Sequence, residues 1–347
     1  VKGSRVFANR AIFSDQNSIG RNEKMTGIHE EKFTGPMVWD AKTAFPNNGI
    51  FKLDDTCFAE IESVAGELRA NPLPTEALLP EDFDLPACTA VMTEVRQAID
   101  KGTGFAVVDR LDVDGLGRDT ATKIYWLLMS VVGRPVAQKW DGTLVYDIKD
   151  KGGKATPGSG IRSSWTSGGQ GFHNDNSFNL PPDFVSLFCL QTARKGGVSG
   201  IVSFESVYNK LLEEHRDIVP RLFEPFWFDR QKEHAPGDEE VSFKPMFEIK
   251  DGVLSVNFSP RLVEHGYTML QKEMDAETRQ ALDALCKTTE VDNLCKRFEF
   301  ERGQIQIVNN RRLGHRRTAF RDWDEPERKR HLIRIWIRKS GRPFYQG

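Results

Sequence analysis

One stretch near the C-terminus, Arg330-His331-Leu332-Ile333-Arg334-Ile335-Trp336-Ile337-Arg338, restricts the fold more than any other. Its residue types suit a strand, and alternate side chains of a strand point to opposite faces. Arg330, Leu332, Arg334 and Trp336 then share one face, while His331, Ile333, Ile335 and Ile337 share the other. The second set is almost wholly apolar and suits packing against a neighbouring layer. A run of arginines is usually a solvated surface. These alternate with Leu, Ile and Trp, so part of the charge has to point inward. A buried guanidinium needs an anionic or strongly polar partner. For Arg334 that partner is either a fixed Asp or Glu, or an acidic group on a ligand.

The rest of the chain supplies more strands. Phe184–Leu190 is a near-continuous apolar run, Ile201–Phe204 pairs back after a Lys195–Ser199 turn, and Gln304–Val308 alternates. Further strands are expected at 105–109, 225–230, 243–249 and 252–258. Helices are expected at 61–70, 90–101, from Asp119 to Gly133, near 205–215 and 217–223, and at 274–287 behind Asp275. A strand-rich second half with helices early and in insertions gives a mostly β fold with flanking helices, a β-sandwich or jelly roll. Residues 1–36 mix charge and glycine without periodicity and read as a polar N-terminal extension. Residues 37–347 read as one domain with helical insertions. The 347 residues carry a net charge of -2 and no long basic run, which argues against a nucleic-acid partner. No apolar stretch reaches membrane-spanning length, and residues 1–30 are too polar for a secretory signal. The five cysteines are odd in number and form no CxxC, which favours a reducing, cytoplasmic setting and gives no zinc pattern. Self-association into a homo-oligomer is left open.

Chemistry concentrates in two places. Gly168-Gly169-Gln170-Gly171-Phe172-His173-Asn174-Asp175 places an imidazole and a carboxylate two positions apart. In an extended segment they face one point and give two thirds of a 2-His-1-carboxylate iron site. The pair alone is weak: composition makes about one His-x-acid match expected by chance. The chain has three, at His29/Glu31, His173/Asp175 and His215/Asp217. Only the middle one sits between a Gly/Ser-rich approach and an apolar run. The glycine cluster is followed by neither a helix nor a ribose-binding acid, so it is a loop and not a nucleotide site. The second place is Gly303–Phe320, where a strand runs into Asn309-Asn310 and then His315. Trp140, Tyr146, Arg162, Ser163, Ser164 and Trp165 precede the His173 segment and are candidates for a pocket wall, with ordinary loop packing the plainer reading.

Four ordered motifs are present: His173-x-Asp175, Gly196-Gly197-Val198-Ser199, Asn309 to Phe320 with His315, and Arg330 to Trp336. In these the sequence resembles the taurine dioxygenase/clavaminate synthase-like (TauD/TfdA) group of Fe(II)- and 2-oxoglutarate-dependent oxygenases over residues 38–345. Gly314 stands where a bulkier residue is usual, and Ser199 where Thr is usual. The resemblance implies a double-stranded β-helix core, Fe(II) held by His173, Asp175 and His315, and 2-oxoglutarate held by Arg330 with the Ser199 hydroxyl. Arg328 or Arg334 is next in line for that role. It further implies O2 as oxidant, succinate and CO2 as products, and hydroxylation of a small-molecule substrate, since an acid at 175 leaves no room for the chloride of related halogenases. In taurine dioxygenase the arginine at the position of Arg334 binds the substrate sulfonate, so Arg334 is a substrate candidate with Arg162 and Ser164. A non-catalytic metabolite-binding or sensing protein on the same barrel is the alternative. A cupin-type enzyme that dispenses with 2-oxoglutarate would leave Arg330 and Ser199 unexplained.

Overall fold

The alternating strand sits where its pattern requires. In the structure, a computed structural model that describes residues 31–43, 49–156, 159 and 161–345, it is β17 (His331–Arg338), near one end of a seven-stranded sheet. Residues 1–30, most of the expected extension, and His29 lie outside the described residues. The sheet runs β1 (Ile50–Lys52), β2 (Phe105–Asp109), β14 (Ile305–Asn309), β6 (Phe184–Gln191), β17 and β3 (Arg134–Val136), and β4 (Tyr146–Ile148) also pairs with β17. A second, four-stranded sheet runs β13 (Cys295–Phe298), β8 (Ser199–Ser203), β15 (Leu313–Arg317) and β5 (Gln170–His173). Three two-stranded pieces complete the β-structure: β7 (Lys195–Gly196) with β16 (Phe320–Arg321), β9 (Pro225–Asp229) with β10 (Val241–Pro245), and β11 (Phe247–Lys250) with β12 (Val253–Val256). From β5 onward the main strands step between the two large sheets, which is the winding of a double-stranded β-helix.

Each sheet face has its own cover. Ile333, Ile335 and Ile337 of β17 pack with Ala106, Phe184 and Ile307 against α1 (Asp55–Ala70), α2 (Pro86–Lys101) and α4 (Arg118–Val132), which follows the short α3 (Val113–Leu116). Trp336, on the other face, packs with Val185 and Val308 of its own sheet and with Ile201 and Leu313 of the four-stranded sheet. The outer face of the small sheet is covered by α5 (Phe204–Glu214), α6 (Val219–Leu222), α8 (Ala276–Thr289) and the β9–β12 hairpins, with α7 (Pro260–Met269) behind β9. Burial of this order dominates folding stability at about 25 cal/mol per Å² of apolar surface.

Helix starts are tied down locally. Asp54 and Asp275 accept from Cys57 N at 2.9 Å and Thr278 N at 2.7 Å, as N-caps do. Helix α2 begins at Pro86, ahead of the residue-90 expectation, because Glu60 on α1 takes its free Ala87 and Cys88 N–H groups. The single strand expected at 243–249 is two, β10 and β11, with buried Met246 between them. Helix α7 was not expected, since Pro260 and Gly266 interrupt its pattern. Gly266 is there for contact: a Cβ would come within 2.7 Å of Trp227 O on β9. The chain packs on the body from Phe33, whose ring meets Tyr208 edge-on.

Candidate active site

His173 closes β5, His315 lies in the middle of β15, and the two are direct partners across that antiparallel pair. Their ring centres are 4.3 Å apart. The strand ends at His173, so plain alternation does not bring Asp175 in. Asn310 does: its Oδ1 accepts from Asp175 N at 2.8 Å and its Nδ2 donates to Asp175 O at 3.0 Å. Asn174 points the other way, donating to Asn310 O and Leu313 O and accepting from Phe258 N. The buried Asn174 and Asn310 amides thus hold the turn after β5 to the turn before β15.

The result is a three-residue cluster. One ligand atom from each of His173, Asp175 and His315 lies within 4.8 Å of the others. Asp175 Oδ1 is 3.5 Å from His173 Nε2 and 3.6 Å from His315 Nε2. Its Oδ2 accepts from Trp336 Nε1 at 2.8 Å and pairs with Arg334 Nη1 at 2.9 Å. Burial opposes the charge on Asp175, but Arg334 and the two imidazoles outweigh it and hold the carboxyl well below the usual range. Burial, reinforced by the nearby His173, lowers the His315 imidazole and favours the neutral form that binds metals. His173 Nδ1 donates to Gly171 O at 3.0 Å, which leaves Nε2 as the lone-pair nitrogen, and the Gln170 amide lies 2.9 Å from it. Two imidazoles and one carboxylate on one side of a point are the donor set of a facial iron site, with the other side open. The residues present fit such an ion.

Beside this cluster is a small cavity of about 50 Å³ whose wall includes Ser199, Gln306, Arg317, Arg330 and Leu332. Arg330 and Arg317 are buried, and Arg330 Nη1 and Arg317 Nε have no hydrogen-bond partner among the described residues. The Phe320 ring lies against both guanidinium groups, 5.0 Å from Arg330 Cζ and 4.9 Å from Arg317 Cζ. Burial pushes each guanidinium down to about 10, and the charge of Arg330 adds to the shift on Arg317. Asp322 meets the Arg330 backbone N–H at 2.7 Å, not its guanidinium. Gly196 and Gly197, at φ +79° and +74°, let β7 pass here: a Cβ on Gly197 would lie 3.2 Å from Arg330 Nε, and one on Gly196 only 2.4 Å from Ala319 O. Two buried cations with unused N–H groups and a buried hydroxyl fit a carboxylate. Arg317 was not singled out in the sequence. The two reserves for Arg330 are otherwise engaged: Arg328 lies 3.6 Å over the Trp323 ring and pairs with Glu325, and Arg334 pairs with Asp175.

A larger cavity, about 430 Å³, opens over the same cluster, and Arg162, Ser163, Ser164, Arg334 and Trp336 are in its wall. Each candidate substrate residue there has an internal neighbour. Arg162 forms an ion pair with buried Glu233, which also accepts from Trp140 N at 3.2 Å. Ser164 Oγ is 3.5 Å from Tyr146 OH. For Arg334 the fixed acid is Asp175, and Gln138 Oε1 accepts from its Nε at 2.7 Å. Of the remaining candidates, Tyr146 and Trp165 stack on one another and Trp140 is largely exposed; none of the three is in this wall. Sequence reasoning missed Gln138, which stands outside every motif, and the contact of Trp336 with Asp175. Among the described residues no helix is long and apolar enough to cross a membrane.

A family model, taurine catabolism dioxygenase TauD, TfdA family, matches residues 69–336. FR-33289 synthase of Streptomyces rubellomurinus (strain ATCC 31215) is 26% identical over 325 residues, 92% of this chain and 94% of that protein. Among solved structures, asparagine oxygenase in complex with Fe(II), 2S,3S-3-hydroxyasparagine and succinate superposes with a TM-score of 0.61 at 20% identity, covering 84% of this chain and 94% of that one. The non-heme iron oxygenase OrfP in complex with Fe and alpha-ketoglutaric acid gives 0.58 at 17% identity, with the same two coverages.

Proposed function

The chain belongs to the taurine catabolism dioxygenase TauD, TfdA family, and from that premise we propose that it is an Fe(II)- and 2-oxoglutarate-dependent oxygenase that hydroxylates an unactivated C–H of a small-molecule metabolite. The observation that carries this reading is the adjacency of two sites. A 2-His-1-carboxylate cluster shares a wall with a cavity that holds two buried arginines, neither guanidinium hydrogen-bonded to a carboxylate among the described residues.

His173, Asp175 and His315 hold the iron, and Arg330 and Ser199 hold 2-oxoglutarate, with Arg317 beside them. Bound there, iron with 2-oxoglutarate and O2 supplies the conversion of C–H to C–OH, with release of succinate and CO2. The chain's own residues orient and exclude. Trp336 and Arg334 hold Asp175 Oδ2, so the other oxygen is the one offered to the metal. Arg330 gives the cosubstrate carboxylate a planar two-point contact that fixes its direction. Leu332 and Trp336 line the approaches and keep water from them.

The test is Fe(II) binding and 2-oxoglutarate-to-succinate conversion in the wild type and in His173→Ala, Asp175→Ala and His315→Ala. Each substitution should abolish both; the thermal midpoint should stay close to wild type in the two His variants and fall in Asp175→Ala, which strands the buried Arg334. Near-wild-type turnover in any one of them removes that residue from the cluster. Fe(II) binding with no 2-oxoglutarate turnover, alone or with a broad metabolite panel, makes the protein a binding or sensing module.

A further inference from the structure

One polar residue in the wall of the small cavity has no task in the chemistry above. Gln306 lies in β14 and is 3% exposed. Its neighbours Ile305 and Ile307 pack into the helix-covered core, so by alternation Gln306 faces the other way, into the space between the two large sheets. The strand pairing agrees. Gln306 stands opposite Val107 of β2 on one side and Leu187 of β6 on the other, and Leu187 stands opposite Arg334 of β17. Directly opposed residues share a face. Gln306 is therefore on the face of the arginine that holds Asp175, two strands or about 10 Å from it along the sheet. It lines the small cavity with Ser199, Arg317 and Arg330 and is absent from the wall of the larger one.

Among the described residues nothing accounts for an amide at this place. Val107 and Leu187 flank it, and Val308, two residues on and on the same face, packs with Val185, Ile201 and Leu313. Gln306 Oε1 is sealed and has no hydrogen-bond partner among the described residues. Nε2 is not sealed, and no hydrogen bond from it is recorded among those residues. Gln304, two residues earlier, shows the satisfied alternative: its Oε1 accepts from Glu301 N at 2.9 Å and its Nε2 donates to Asp109 Oδ1 at 3.2 Å. A buried amide without partners destabilises a fold, and native structures rarely keep one unless a ligand or water meets it. A leucine or methionine would fill the same slot without that cost.

The wall itself decides which chemistry can meet the amide. Arg330 and Arg317 only donate, so neither can take a bond from Nε2. Both arginines also have nitrogens without partners among the described residues, so three polar side chains stand round one space and do not satisfy one another. Every oxygen of 2-oxoglutarate is an acceptor at neutral pH. We propose that Gln306 is a further cosubstrate-binding residue, whose Nε2 donates a hydrogen bond to an oxygen of 2-oxoglutarate. This rests on the oxygenase reading and adds a neutral donor to it. The two arginines attract any anion, whereas an uncharged amide favours an oxygen at one place.

The test compares wild type with Gln306→Met, which keeps the unbranched length and loses the amide, and with Gln306→Leu as a second apolar filling. Calorimetry measures 2-oxoglutarate binding to anaerobic, Fe(II)-loaded protein and Fe(II) binding without cosubstrate; the thermal midpoint is read on metal-free protein. Loss of a bond to a charged oxygen should weaken 2-oxoglutarate about tenfold or more in both variants. Fe(II) affinity should stay within about twofold. The thermal midpoint should rise by about 2 °C, because the substitution removes a buried group that the protein leaves unpaired. A structural role for the amide predicts the opposite sign, so a midpoint that rises in neither variant overturns the proposal. So does a 2-oxoglutarate affinity within twofold of wild type. A loss of Fe(II) affinity as large as the loss of 2-oxoglutarate affinity also overturns it, and assigns Gln306 to shaping the metal cluster. Wild-type protein that takes Fe(II) and not 2-oxoglutarate counts against the oxygenase reading, whereas wild-type binding that both variants retain counts against Gln306 alone.

Discussion

Arg330→Lys keeps a positive charge in the small cavity and removes its shape. Arg330 is 5% exposed, and among the described residues its Nη1 has no partner and no carboxylate is hydrogen-bonded to its guanidinium. If its ligand is the distal carboxylate of 2-oxoglutarate, the planar group donates two parallel bonds, which the three diverging N–H bonds of an ammonium cannot match. A charge-assisted bond contributes about 1.5–3 kcal/mol, so the dissociation constant should rise roughly ten- to a hundredfold. Arg317 limits the loss to that range, since it leaves a second buried cation against the same Phe320 ring. The assay is calorimetric titration of 2-oxoglutarate into anaerobic, Fe(II)-loaded protein, with Fe(II) affinity and the thermal midpoint as controls. Both controls should hold, because among the described residues no hydrogen bond or ion pair joins Arg330 to the three cluster residues. A 2-oxoglutarate affinity within twofold of wild type refutes the assignment. Arg317→Gln then becomes the decisive variant, because its buried Nε also lacks a hydrogen-bond partner among the described residues and it lines that cavity.

Trp336→Phe removes the 2.8 Å indole bond to Asp175 Oδ2 and keeps an aromatic ring in the core, so Fe(II) affinity should fall about tenfold with little change in thermal midpoint; an unchanged affinity means Arg334 alone suffices to hold the carboxylate. Arg312→Met strands Glu205, which is 2% exposed and meets Arg312 Nε at 3.0 Å, and should cost about 3–5 kcal/mol in denaturant unfolding. Adding Glu205→Gln should restore part of that loss, and a double variant no more stable than the single one would show that the buried charge is not what costs.

How much of this was legible follows from which signals are local. Strands β6, β14 and β17 could be read because burial on one or both faces writes itself into consecutive residues. Helix α8 could be read from Asp275, whose cap is made within its own first turn. The start of α2 could not, because its cap arrives from Glu60 on another helix. Helix α7 was hidden by Gly266, a residue chosen by the backbone of β9 pressing against it. At the site, the three cluster residues were legible as motif letters, but what joins them was not. His173 and His315 meet as cross-strand partners, and Asp175 is delivered by the side chain of Asn310 after the strand has ended.

The alternation of residues 330–338 predicts Arg330 and Arg334 on one face, and alternation alone treats them alike. The structure separates them by their counter-ions. Arg334 spends Nη1 on Asp175 and Nε on Gln138, which leaves Nη2 as its only nitrogen without a recorded hydrogen bond among the described residues. Among the described residues Arg330 has no ion-paired acid, and Asp322 acts on it only from a distance. A guanidinium that already carries its own carboxylate has less electrostatic gain from a further anion, because the pair is nearly neutral at a distance. Arg334 is thus fitted first to hold Asp175 charged and oriented, and only through Nη2 to touch a substrate. Arg330 and Arg317 form a site in which acids such as Asp322 act only from a distance and, among the described residues, no carboxylate is hydrogen-bonded to a guanidinium. Arg334 lies within β17, whereas Arg330 stands just before it, ahead of an irregularity in the pairing between His331 and Leu332. Which arginine recruits a ligand is decided elsewhere, at the turn that returns Asp175 to the strand.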